Sequence, residues 1–184
     1  MIDRCENCGL VVARDDVPDS ETAAAALFGA GAAGANGNGG APAGRALAVR
    51  APNASSLQAW LGAENWAALH PGDPLQLKPT PRAAELLAAK GGLDVTGIRF
   101  AATPGIASMW QTLLNLLTFH RDFATEAFSR RLRPSGGRGR AAYAIDMAIT
   151  VLAAIPTAII ATVLEGGAVI ARRGGVIEIS ATRR

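Results

Sequence analysis

Three stretches of the chain place apolar and polar residues in strand-like order: Ala46–Arg50, Leu93–Ala101 and Val176–Ala181. The second shows the alternation best, as Leu93-Asp94-Val95-Thr96-Gly97-Ile98-Arg99-Phe100. Such a pattern predicts a strand. Between the first two strands, Thr80 can N-cap a helix, Pro81 suits its first position, and Gly91-Gly92 stops it. A loop holding Trp60 and Trp66 precedes that helix, so residues 45–100 read as a β-loop-α-β unit.

The helical period dominates elsewhere. Asp19 or Ser20 can cap a short helix running to Phe28. From Ile106 to Leu132, the residues Leu113, Leu116, Leu117, His120, Phe123, Ala124 and Ala127 fall on one side of a predicted long helix. Glu126 and Arg130 make an i,i+4 pair on it, and His120 reads as a hydrogen-bonded core or interface histidine. Met147–Leu164 is uncharged throughout, between Asp146 and Glu165. As a helix it spans about 27 Å, just short of the roughly 30 Å of bilayer hydrocarbon. It therefore reads as either a buried or interfacial helix kinked at Pro156 or a membrane span.

The central unit carries an ordered set of residues. They are Pro52-Asn53, Ser55 or Ser56, Leu61-Gly62, Trp66, Leu69, Thr80-Pro81, Glu85-Leu86-Leu87 and Gly92-Leu93. This order resembles the later half of a class I SAM-dependent methyltransferase, over roughly Gly44–Phe100. Arg173-Gly174-Gly175-Val176-Ile177-Glu178-Ile179 is similar to the closing strand of such domains. The resemblance implies an incomplete Rossmann-like α/β fold, with the last strand inserted antiparallel between the first two. It also implies a small-molecule methyl acceptor, with Asn53, Trp66 and His70 on the substrate side. The family places a histidine just before its Thr-Pro helix start; here Pro74 holds that place and His70 lies four residues earlier. Trp60 and Trp66 read either as loop anchors to the core or as pocket walls.

The glycine-rich half that binds SAM in that family has no clear counterpart. Gly29, Gly31 and Gly34 spell G-x-G-x-x-G. The residues before them favour helix rather than a buried strand, and after Glu21 the next acid is Glu64. Gly29–Gly44 reads instead as a linker. The chain is thus expected to bind no cofactor alone, SAM entering by resemblance only, as a truncated or degenerate enzyme would.

Cys5 and Cys8 are the only cysteines, in a C-x-x-C-G turn shaped like half of a zinc knuckle. Tetrahedral zinc wants four ligands, so zinc binding is expected to be weak. Residues 1–14 are expected to be independent of the core.

Composition narrows the rest. The 184 residues suit one ordinary domain, and 49% apolar with 18% charged excludes global disorder. The pI of 9.4 comes with a net charge of only +3, nearly all from arginine, since Lys78 and Lys90 are the only lysines. Arg130, Arg131, Arg133, Arg138 and Arg140 crowd together without interleaved aromatics, so no nucleic-acid partner is expected. A solvated loop or contact with anionic headgroups are the readings left for them. No signal peptide pattern opens the sequence, so a cytoplasmic location is expected, at the membrane face if the apolar helix engages lipid.

The expected organisation is a CxxC segment with a short helix (1–28), a linker (29–44) and a partial methyltransferase-like α/β domain (45–184) with three core strands, long C-terminal helices and an apolar helix at 141–165. The alternative function is a non-catalytic membrane-associated interaction protein using residues 107–170, with a membrane surface or a second copy as partner.

Overall fold

The computed structural model describes residues 3–5, 8–12, 19–33, 46–69, 77–129 and 136–183. In chain order these form β1 (Asp3–Arg4), β2 (Val11–Val12), α1 (Ser20–Ala33), β3 (Ala46–Pro52), α2 (Leu57–Gly62), β4 (Leu77–Lys78), α3 (Pro81–Lys90), β5 (Leu93–Phe100), α4 (Ala102–Leu117), α5 (Phe123–Phe128), α6 (Gly136–Ile170) and β6 (Val176–Arg183). Two 3-10 turns, Ala63–Asn65 and Ala67–Leu69, follow α2.

The main sheet has the order β3-β6-β5, with β6 antiparallel to both neighbours. The last strand therefore lies between the other two strands of this sheet, as expected. Ile179 is the centre of the register, opposite Val49 on one side and Ile98 on the other. One face of the sheet is dry. Val49, Ala51, Leu93, Ile177, Ile179 and Ala181 are buried there beneath Ala23, Ala24, Leu27 and Phe28 of α1 and Ala83, Ala84, Leu87 and Ala88 of α3. The helix signals at α3 act as predicted: the Thr80 hydroxyl accepts from the Ala83 N–H, and Pro81 occupies the first turn.

The opposite face is polar. Ala46, Ala48, Arg50, Asp94 and Arg99 are exposed on the outer strands. An Arg50 guanidinium nitrogen lies 3.3 Å from Glu178 Oε1, and the register sets Arg99 across from Glu178 on the other side. Fully doubly wound sheets are covered on both faces and read apolar on both. This chain is a mixed α/β protein on a small three-stranded antiparallel sheet, with six α-helices among the described residues.

Several elements differ from expectation. α1 continues to Ala33, so Gly29 lies within a helix and not in a linker. The helix expected over 106–132 is two helices. Asp122 adopts a left-handed backbone (φ 56°), which a helix cannot continue through, and its N–H donates to Asn115 Oδ1. Upstream, Asp146 accepts the N–H groups of Phe119 and His120 and holds the turn open. α6 is 35 residues long, so Asp146 and Glu165 fall inside it and do not bound it.

The N-terminal segment is not independent. β1 and β2 pair antiparallel, β2 pairs with β4, and Leu10 joins the α1–α3–sheet core with Cys8 packed against it. The Thr80 hydroxyl that caps α3 also donates to the Cys8 carbonyl, at 2.5 Å. One cap residue thus fastens the cysteine turn to the helix behind the sheet.

Leu27 is fully buried between the sheet and α3. Leu27→Ala should cost about 2–4 kcal/mol of stability in urea unfolding, the range for a core leucine. A loss below about 0.5 kcal/mol, typical of a surface site, would show that α1 does not share this core.

Candidate functional site

At the C-terminal end of β3 the chain turns sharply under the control of Asn53. Its backbone N–H donates to the Gly175 carbonyl, and its side-chain amide donates to the Gly174 carbonyl at 2.9 Å. Its side-chain oxygen accepts from the N–H and the hydroxyl of Ser55. Asn53 is wholly buried, so it acts here as a clamp between the β3 end and the turn entering β6. Ser56 then caps α2 by accepting from the Ala59 N–H.

This turn opens a pocket of about 530 Å³. Its walls are mostly apolar, from Val11, Ala54, Leu57, Ala59, Trp66 and Leu69, and Ser55, Ser56 and Arg173 add polar groups. Among the described residues, Arg173 is the one charged residue of the lining. The two tryptophans divide the roles foreseen for them. Trp66 is 2% exposed and anchors the loop, while Trp60 is 78% exposed at the rim.

Behind the pocket runs a buried polar chain that spacing could not reveal. The Trp66 indole N–H donates to Gln58 Oε1, and Gln58 Nε2 donates to Glu165 Oε2 at 3.2 Å. Glu165 Oε1 accepts the Gly175 N–H at 2.6 Å. Glu165 has no exposed surface, and burial pushes its carboxyl pKa up, opposed in part by the bonds from Gly175 and Gln58. Gly105 and Gly175 are required by this closeness, because a Cβ at either would collide with Glu165 or Gln58.

A second acid, Asp146, is equally buried and pairs with His120, whose Nδ1 lies 2.6 Å from Asp146 Oδ2. With the two N–H bonds it also accepts, Asp146 clamps the α4–α5 turn onto α6. The His120 side chain is 43% exposed, so the expected core histidine is a partly open one.

The remaining α6 surface is unusual. Its buried positions include Asp146, Thr150, Thr157 and Glu165, whereas Val151, Leu152, Ile155, Ile159, Val163 and Ile170 face outward. Gly139–Ile170 is long and apolar enough to cross a membrane, and little of it is buried.

The cofactor expectations meet the structure as follows. Gly29 and Gly31 lie inside α1, so they form no phosphate-cradling loop, and Gly34 lies outside the described residues. Cys5 and Cys8 are in no disulfide, and the turn is shaped by Gly9 N–H donating to the Cys5 carbonyl and Cys5 N–H to the Leu10 carbonyl. Among the described residues no group of three or more His, Cys, Asp or Glu could hold a metal. Burial pushes the Cys8 thiol pKa up, a bond with the Leu10 backbone lowers it, and Cys5 raises it again. His70, Arg130, Arg131 and Arg133 lie outside the described residues. No protein-family model, curated protein or solved structure matches this chain.

Two measurements check this site. The folded-state pKa of Glu165 is raised above its ordinary 4.5. Its protonated form therefore adds stability that is full below that value and is lost as pH rises through the folded-state pKa. Glu165→Gln should bring the urea midpoints at about pH 4 and about pH 8 closer together than in the unchanged chain. An undiminished difference would assign the pH dependence to another group. At the cysteine turn, Cys8→Ser should cost about 1 kcal/mol by setting a hydroxyl against the core, and Cys5→Ser less than about 0.5 kcal/mol. Equal small losses would return this segment to independence from the core.

Proposed function

We propose that this chain is a methyltransferase-related protein that carries the acceptor-side part of an incomplete Rossmann-like domain and does not bind SAM alone. The observation that carries this is the sheet order: the final strand is antiparallel between β3 and β5, as the resemblance implies. The pocket supports it by position, since ligands of open α/β sheets bind beyond the carboxyl ends of strands and this one lies beyond β3. Its chemistry suits a small acceptor with an apolar body and an anionic or hydroxyl group, the first held by Trp60 and Trp66 and the second by Arg173 and Ser55. Titration calorimetry of the purified chain with SAM should give no saturable heat. Micromolar affinity would overturn the proposal and restore a cofactor role to the glycine-rich stretch.

A second reading is favoured by the outward apolar face of α6. In it the chain is a non-catalytic interaction protein held at the cytoplasmic face of a membrane through residues 107–170. Expressed protein should then sediment with membranes, and full recovery in the soluble fraction would end this reading.

A further inference from the structure

α6 is built the wrong way round for water. A helix on a soluble domain buries its apolar stripe and shows its polar one. Here the two acids of α6 are wholly buried, while Leu152 is 78% exposed, Ile155 74% and Ile170 87%. The exposed residues at 141, 144, 145, 148, 151, 152, 155, 156, 159, 160, 162, 163, 167 and 170 include no charged side chain. At about 100° per residue they cover roughly half the helix circumference, wider than the a/d seam that a single partner helix covers.

The ends are as informative as the face. Arg140 is exposed before this stripe, and Arg172 and Arg173 are exposed after it. In a pair of α6 helices running antiparallel, Arg140 would meet Arg172 of the other copy. Running parallel, each arginine would meet its own counterpart. Either arrangement sets like charges together, which disfavours association. An anionic headgroup layer matches both ends at once.

The attachment of α6 to the body fixes its attitude. It is held at Asp146 by the Phe119–His120 turn, at Ala154 by the Trp110 indole N–H, and at Glu165 by Gln58 and Gly175. These points are spread over about 28 Å of helix. A helix crossing the bilayer upright would carry α4 and both buried carboxyls into the hydrocarbon with it.

We propose that α6 docks lengthwise on an anionic bilayer surface, with its outward face among the acyl chains and Arg140, Arg172 and Arg173 at the headgroups. This rests on the membrane-association reading above and adds the orientation, the face and the lipid charge. The test is flotation of the full chain with sealed vesicles of phosphatidylcholine, with and without phosphatidylglycerol. Binding is expected with the anionic vesicles. Arg140→Gln with Arg172→Gln should weaken it about thirtyfold. Leu152→Asp with Ile159→Asp should abolish flotation and leave the unfolding temperature unchanged, because both positions are exposed. Trypsin should cut at Arg140 and at Arg172 from outside the vesicles. Protection of one end, with resistance to carbonate extraction, would establish a span and overturn the lengthwise docking while keeping membrane association. Equal binding to neutral vesicles, unmoved by the arginine changes, would overturn the headgroup contact. No flotation, with a dimer by light scattering, would overturn both readings and assign the face to a second copy.

Discussion

The carboxyl of Glu165 is the contact that the surrounding structure is arranged to satisfy. An acid with no exposed surface costs several kcal/mol unless it is protonated or fully bonded. Here it meets the Gly175 N–H and the Gln58 amide, and Gln58 in turn accepts the Trp66 indole N–H. The start of β6, the helix after β3 and the wall of the pocket therefore meet at one side chain. The same contact sets the rotation of α6. With Glu165 turned inward, and Asp146 inward on the same half of the helix, the apolar stripe has only outward directions left.

The sheet imposes a second constraint. β6 is reached only after α4, α5 and α6, and it enters between two strands already set apart in sequence. Its alternation supplies Ile177, Ile179 and Ala181 to the dry face and Glu178 and Ser180 to the wet one. Glu178 then stands between Arg50 and Arg99 across the strands, so opposite charges sit where the register brings them together. The pocket follows from the same insertion, because the turn before β6 delivers Arg173 to its lining and takes the Asn53 side-chain amide on the Gly174 carbonyl.

Local chemistry was legible where it is local. The Thr80-Pro81 start and the Gly91-Gly92 stop of α3 read directly from sequence, as did the three strands, because caps and alternation act within a few residues. The break between α4 and α5 did not, since part of its cause, Asp146, lies 27 residues beyond Phe119. Asn53 was singled out, but its use as a backbone clamp depends on Gly174, 121 residues away. The orientation of α6 was the least legible feature. Asp146 and Glu165 looked like the charged limits of an apolar run, and only their burial inside a longer helix shows which side faces the body. The independence expected of the cysteine turn failed for a similar reason: Thr80, far along the chain, bonds to Cys8.

The interface between α6 and the body combines small residues with buried hydrogen bonds, the means by which helices pack closely where hydrophobic drive is weak. The inner face of α6 has Thr150, Thr157, Ala161 and Ala168 buried, with Gly105 of α4 pressed against Glu165. The Trp110 indole reaches the Ala154 carbonyl, and Asp146 takes two backbone N–H groups across the helix junction. Hydrogen bonds of this kind strengthen as the local dielectric falls. Most of the large aliphatic side chains of α6 are on its far side, and the aromatic contact to the body is Tyr143 set edge-on against the buried Phe123. A polar, small-residue seam facing protein and a broad aliphatic face turned away form one consistent design. Each half of it suits the lengthwise docking proposed for α6.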